Sequence, residues 1–528
     1  MNSIGHHKFS HHQWSRTLLL TLTCLITSLA SANSLRIAYD ADPVSLDPYE
    51  QLSGGSMQQA HLLYDPLLRW TTDHQLEGRL APSWQRLDNR TVRFNLRHDV
   101  KFISGNAFTA LDVKWSLQRA KTSADFKAVF QPISQARVID THTVDLITDK
   151  PYALLENIAT QLFIMDSLFY RGFDEQQKAK DAIENHGHSY ASMHASGTGP
   201  FVVTKRQQGV GIDLKRQTNY WDHASVGNVS QISITPIHDS ATRSAALLAG
   251  DLDLIAPVPP IDHYRIDKQP GIHLFTRAGA RLISLQMNQQ SRPELRDLRV
   301  RQAIIYAINN KGIASKIMRG FATPAGQQSP PGYVGHLPKL MPRFNLELAK
   351  KLMAQAGHSK GFRLSMIAPN NRYVNDAKIA QAVVIMLAKI NIEVDLVTMP
   401  KAQYWQKYDQ GGADLMMLGW HSDTEDSANF SELLAMCRNE KSGYGRYNGG
   451  HYCNPEVDRL VSASAQQTDP QKRAQILQQV EQILYHDAAF VPLHWQHLAW
   501  GSRGGLDIGS VLTVMNVPYL ADLVINQP

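Results

Sequence analysis

Asn345-Leu346-Glu347-Leu348-Ala349-Lys350-Lys351-Leu352-Met353-Ala354-Gln355-Ala356-Gly357 opens the most legible part of a 528-residue chain. Its apolar positions Leu346, Leu348, Ala349, Leu352 and Met353 hold helical spacing, Asn345 offers an N-cap, and Gly357 offers a stop. Arg363-Leu364-Ser365-Met366-Ile367-Ala368 then reads as a buried strand, and residues 375–390 read as a helix. A strand over 392–397, a helix over 401–410 and the strand Ala413-Asp414-Leu415-Met416-Met417-Leu418-Gly419 complete the run. Strands and helices alternating through short links predict parallel strands with right-handed crossovers, and so an α/β fold.

In such a sheet, ligands sit beyond the carboxyl ends of the strands. That rule selects two loops, Asn370-Asn371-Arg372-Tyr373 and Trp420-His421-Ser422-Asp423. One carries a cation; the other carries an aromatic ring and an acid. A free short peptide has an ammonium at one end and a carboxylate at the other. Buried in a cleft, each needs an opposite partner. A carboxylate such as Asp423 suits the ammonium, and the fork of Arg372 suits the carboxylate bidentately. Trp420 would wall the space with apolar surface. At about 3.5 Å per extended residue, a ligand of two or three residues spans adjacent loop tips.

Outward from this region the pattern changes. Residues 34–40 read as a strand leading into a Pro- and Gly-rich loop over 42–55. Short alternating strands follow between 76 and 150, among them Thr91-Val92-Arg93-Phe94-Asn95-Leu96 and Thr143-Val144-Asp145-Leu146, interrupted by a helix over 110–120. Ser196-Gly197-Thr198-Gly199-Pro200 is a backbone punctuation point. Strands near 210–216 and 231–236 precede a helix over 239–249, with Asp239 as its N-cap and Gly250 just past its end, and then a strand over 252–255.

The first thirty residues read as an export signal. Lys8 and Arg16 precede an apolar run over 18–29, too short to cross a bilayer as a helix, and Ala30-Ser31-Ala32 predicts cleavage before Asn33. Thr23 stands before Cys24 where a lipoprotein signal has Gly, Ala or Ser. The mature chain then keeps only Cys437 and Cys453, sixteen positions apart in one loop, and in an exported protein these most simply pair as a disulfide.

Composition narrows the classes further. A 43% hydrophobic and 19% charged chain is globular, with length for about three compact units. The net charge of +6 is spread without like-charge runs, against a nucleic-acid partner. G-x-S-x-G, H-E-x-x-H, S-x-x-K and C-x-x-C signatures are missing, and Gly209-Val210-Gly211 lacks the third glycine of a dinucleotide loop. His186, His188 and His194 share a loop that could ligate metal or haem but reads as solvated, and His451 is the single such group near the cysteines. His494 and His497 read as half-buried structural histidines of a strand near the C-terminus.

Taken together, these segments resemble the extracytoplasmic solute-binding proteins of ABC importers for oligopeptides, dipeptides and nickel (family 5), the pattern being nearest to dipeptide-binding members. The resemblance covers 35–500 and rests on Leu46-Asp47-Pro48, Phe108-Thr109-Ala110-Leu111-Asp112-Val113, Gly197-Thr198-Gly199-Pro200-Phe201 and Asn219-Tyr220-Trp221. It continues through Ala246-Leu247-Leu248-Ala249-Gly250-Asp251-Leu252-Asp253, Val300-Arg301-Gln302-Ala303-Ile304, the Ala349–Gly357 run and Asn454-Pro455-Glu456-Val457-Asp458. It implies a two-lobe periplasmic-binding-protein fold with a hinge and an additional inserted domain. Lobe I would take 33–70, 196–278 and 491–528, the inserted domain 71–195, and lobe II 279–490. The chain would cross between lobes near 276–281 and again near Phe490.

The resemblance also assigns roles. Gly419-Trp420-His421-Ser422-Asp423 matches the segment whose acid holds the ligand's ammonium. Arg372 falls where dipeptide binders keep an arginine for the carboxylate, and their loop disulfide falls where Cys437 and Cys453 stand. The chain departs from relatives at Asp426-Ser427, where many read Asp-Pro, and at Met417, where oligopeptide binders carry arginine. The expectation is a monomeric periplasmic protein without cofactor or catalysis. It would capture short peptides by lobe closure and deliver them to an inner-membrane permease. A metal chelate, haem or polyamine ligand is the alternative within binding; a secreted hydrolase is the alternative from another class.

Overall fold

The computed structural model describes residues 33–184, 187–422, 426–513 and 515–526. The expected leader over 1–32, His186 and Asp423 lie outside the described residues.

The chain is mixed α/β, built on an eleven-stranded sheet. At one end the strands Ile392–Met399, Phe362–Pro369 and Leu415–Trp420 lie in that order, both contacts parallel, as the crossover reading requires. The helices between them, Asp376–Ala388 and Lys401–Asp409, and the helix Leu346–Gln355 before them fall within two residues of the expected spans. Asn345 caps its helix by accepting from the Leu348 amide at 3.0 Å. Gly357 takes a left-handed φ of +85°, which ends the helix without the Cβ penalty other residues carry.

At the other end Ser34–Tyr39 runs parallel to both Gln231–Pro236 and Leu254–Ala256, and the hairpin Phe201–Gln207/Gly211–Arg216 forms the edge. Two long antiparallel strands, Ile272–Met287 and Phe490–Arg503, join the halves. The first half of Ile272–Met287 pairs with Leu498–Arg503, which continues onto Leu254–Ala256, while its second half pairs with Leu415–Trp420. Between Arg277 and Arg281 the ladder breaks, opposite Gln496–Leu498. A Cβ at Gly279 would lie 2.3 Å from the Gln496 carbonyl oxygen, so only glycine fits this break.

A separate antiparallel sheet orders Ser83–Asp88, Thr91–Asn95, Thr143–Thr148 and Ile133–Asp140, with the helix Ala110–Ala120 packed beside it. Thr109 and Asp112 form a reciprocal capping box at that helix. Its last turn carries Arg119, whose guanidinium donates to both oxygens of Asp47 at 2.9 and 2.6 Å. Both side chains are buried, so this pair ties the first loop to the helix Ala110–Ala120. Cys437 and Cys453 are joined by a disulfide. Among the described residues no helix is long and apolar enough to cross a membrane.

Candidate functional site

The strand Phe362–Pro369 ends in the loop that carries Arg372. Asp376, buried at the start of the next helix, accepts from the amides of Arg372 and Tyr373 at 2.9 and 3.0 Å. Burial raises its carboxyl to about 6, opposed by those amide bonds. The Val374 amide donates to Gln496 Oε1 at 3.3 Å, tying the loop to the long strand beside the ladder break. The backbone around Arg372 is therefore held at both ends. Its guanidinium lies 5.2 Å from the Tyr373 ring centre, and its Nε is buried without a hydrogen-bond partner.

The strand Leu415–Trp420 is buried along its whole length and delivers Gly419 and Trp420 beside that loop. A Cβ at Gly419 would meet Tyr373 Cε1 at 2.5 Å and Ile283 Cδ1 at 2.8 Å. Trp420 satisfies its indole N–H on Asn429 Oδ1 at 3.0 Å and turns its ring against Tyr447, centres 4.8 Å apart. Tyr447 belongs to the disulfide-closed loop, and its carbonyl accepts from Tyr408 at 2.7 Å. The bridge thus braces the wall behind Trp420.

Arg372, Gly419, Trp420 and His421 line one small cavity, with Leu52, Ser53, Gly54, Met57, Arg281 and Trp405. These residues come from the loop and helix around Gly54–Leu63, the long strand Ile272–Met287, and the loops and helix beyond the parallel strands. Gly54 begins the helix Gly54–Leu63, and a Cβ there would lie 2.8 Å from Arg281 Nη2. Arg281 and Arg372 also border a space of about 750 Å³ bounded by Asp40, Asp42, Gln496 and Trp500. Lys401 borders that space and a third one of about 1430 Å³, which holds Trp405, Asp125, Asp409 and Arg446. The spaces share lining residues, and their polar groups are mainly cationic near Arg372. Asp423 follows this strand by three positions but lies outside the described residues.

Lys401 escaped the sequence reading. It is 9% exposed, and burial followed by the nearby charge of Arg372 lowers its ammonium to about 7. The signal was present: a lysine in the first turn of a helix meets the positive end of the helix dipole, which disfavours it. Asp376 was missed because an acid at a helix start looks like ordinary capping.

His494 is fully buried rather than half-buried as expected, and burial pushes it down to about 3. His497 is half-buried and bonded to Thr323 at 3.0 Å. His188 and His194 are exposed, and His194 stacks on Tyr190. Among the described residues no three His, Cys, Asp or Glu side chains gather as a metal site. Several motifs behind the resemblance prove to be scaffolding. Asp65 accepts from Thr198, Tyr220 and Trp221 at 2.8–3.1 Å. Cβ atoms at Gly197 and Gly199 would clash with Leu63 backbone atoms at 2.1 and 2.4 Å.

The family model of bacterial extracellular solute-binding proteins, family 5 (middle), matches residues 75–442. The chain belongs to this family. Glutathione-binding protein GsiB of Salmonella typhimurium is 24% identical to this solute-binding protein over 501 residues, covering 92% of this chain and 93% of that relative. The periplasmic binding protein DppA from Helicobacter pylori, solved with the peptide STSA, superposes with a TM-score of 0.83 at 24% identity over 94% of this chain and 98% of that one. A dipeptide binding protein from Pseudoalteromonas sp. SM9913, solved with Met-Leu, gives 0.83 and 24% over 93% and 100%. At these identities the structural likeness establishes the fold alone.

Proposed function

We propose that this solute-binding protein captures short zwitterionic peptides in the periplasm and hands them to an ABC permease. The reading rests on one observation above others. Arg372 and the Gly419-Trp420 strand end, drawn from loops at the carboxyl ends of parallel strands, line one cavity closed from the opposite side by Gly54 and Met57. Arg372 takes the ligand's carboxylate, Asp423 takes its ammonium, Trp420 supplies the apolar wall, and Gly419 and His421 shape the path of its backbone. Relatives named for glutathione and solved with peptides support the same class.

Lobe I is 33–70, 196–278 and 491–528, the inserted domain is 71–195, and lobe II is 279–490. The hinge is the ladder break at Arg277–Arg281 with its partner Gln496–Leu498. The chain crosses between the lobes within that break and again near Phe490, at the start of the Phe490–Arg503 strand. The protein acts as a monomer without cofactor, its leader removed before Asn33. Mass spectrometry of ligand released from natively purified protein should find peptides of two or three residues. A metal chelate, haem or polyamine in their place overturns the reading.

A further inference from the structure

The helix Lys401–Asp409 starts directly beyond the carboxyl end of the strand Ile392–Met399. Its cap, Pro400, gives no side-chain hydrogen bond; the Lys401 amide donates to Asn371 Oδ1 at 2.7 Å, and the amides of Ala402 and Gln403 have no acceptor inside their own helix. That end therefore favours negative charge. A second, independent feature stands there. Lys401 is 9% exposed, borders two of the spaces around the site, and has no carboxylate within ion-pair distance of its ammonium among the described residues. A buried charge without a partner is strongly unfavourable, so a site that keeps one is built for a charge that arrives later.

Other charged groups near Lys401 are Arg372 and Arg281 on the cationic side, and Asp40 and Asp42 on the anionic side. Asp42 is already committed: Arg206 donates to both its oxygens at 2.6 and 2.7 Å. Trp405, one helical turn onward, adds a buried indole N–H with no acceptor.

We propose that the junction of cavities around Lys401 takes a second carboxylate of the ligand, so that the preferred peptides end in an acidic residue. Resting on the peptide reading above, the inference places the α-carboxylate on Arg372 and the side-chain carboxylate on Lys401 and the helix start. One C-terminal Asp or Glu carries both groups.

Ala-Glu and Ala-Gln have nearly the same shape and differ in that charge. Calorimetry on the wild type should show Ala-Glu binding at least tenfold more tightly. In Lys401→Met the preference should vanish while Ala-Gln binding stays within about threefold, and unliganded Tm should hold or rise. Equal binding of the two peptides by the wild type, or a preference that survives in Lys401→Met, overturns the second-carboxylate site and leaves the peptide reading standing. If neither peptide binds, the peptide reading falls, and glutarate decides the site alone. A Tm rise with glutarate in wild type and not in Lys401→Met keeps it; no rise overturns it.

Discussion

Gly419 stands against the ring of Tyr373 so closely that a methyl group there would lie 2.5 Å from Tyr373 Cε1. The next residue back from Tyr373 is Arg372, whose guanidinium rests beside that same ring. Two loops that end different strands are thereby set at contact distance by the absence of a single side chain.

Gly419→Ala should therefore displace Tyr373 and carry Arg372 with it. Overpacking of this kind costs about 1–3 kcal/mol of stability. Peptide affinity should fall by more than the stability loss explains, because the cation leaves its place. Calorimetry beside a denaturant titration checks this; unchanged affinity in a destabilised variant would refute the coupling.

Asp423 and the ligand's ammonium form the next test. Losing one partner of a charge pair desolvated on closure costs about 2–5 kcal/mol, roughly thirtyfold to several-thousandfold in affinity. Asp423→Asn should nearly abolish dipeptide capture and leave the Tm without ligand almost unchanged. N-acetylating the peptide should hurt the wild type severely and the variant far less. Additive penalties in calorimetry would place the two changes at separate points.

The Lys401 ammonium, lowered to about 7 by burial and by Arg372, gives the site a pH signature. An arriving carboxylate favours the charged form, so it raises this value and binding takes up a proton. Affinity for Ala-Glu should hold below pH 7 and weaken by up to about tenfold per unit as pH rises above it. The other charged groups near Lys401 are Asp40, Asp42, Arg281 and Arg372, and Asp376, raised to about 6, is already mostly ionised at pH 7. Calorimetry over pH 6–9 in buffers of different ionisation heat reads both the slope and the proton. Ala-Gln should show little of either, and Lys401→Met none.

Joining Cys437 to Cys453 closes a sixteen-residue separation. In the chain-entropy picture a loop of that size contributes about 3 kcal/mol. Replacing both cysteines by serine should lower the urea midpoint accordingly. Because Tyr447 backs Trp420, tryptophan emission and peptide affinity should change at urea concentrations well below the main transition. A single shared transition with wild-type affinity would contradict the bracing role.

Periodicity carried the fold. Asn345, Gly357 and the alternating segments to Gly419 act through neighbours three or four positions away, so their reading needed no tertiary knowledge. Parallel pairing followed because short links leave few topologies. The loop tips with Arg372, Gly419 and Trp420 followed from the same rule. What stayed hidden was non-local. Lys401 acquires its burial from segments near Asp42 and Gln496, hundreds and nearly a hundred residues away, and no local pattern encodes that encounter. The register that puts the break opposite Gln496–Leu498 depends on a bulge that hydrophobic alternation does not mark.

Taken as the proposed hinge, the break in the ladder between Arg277 and Arg281 is a compliant seam in the large sheet. On the proposed reading, a change of tilt between the two ends of the sheet would concentrate in residues 278–280 and their partners at 496–498. Amide hydrogen exchange at those few positions would then be a direct gauge of how often the empty protein opens, and saturating peptide should slow it there first.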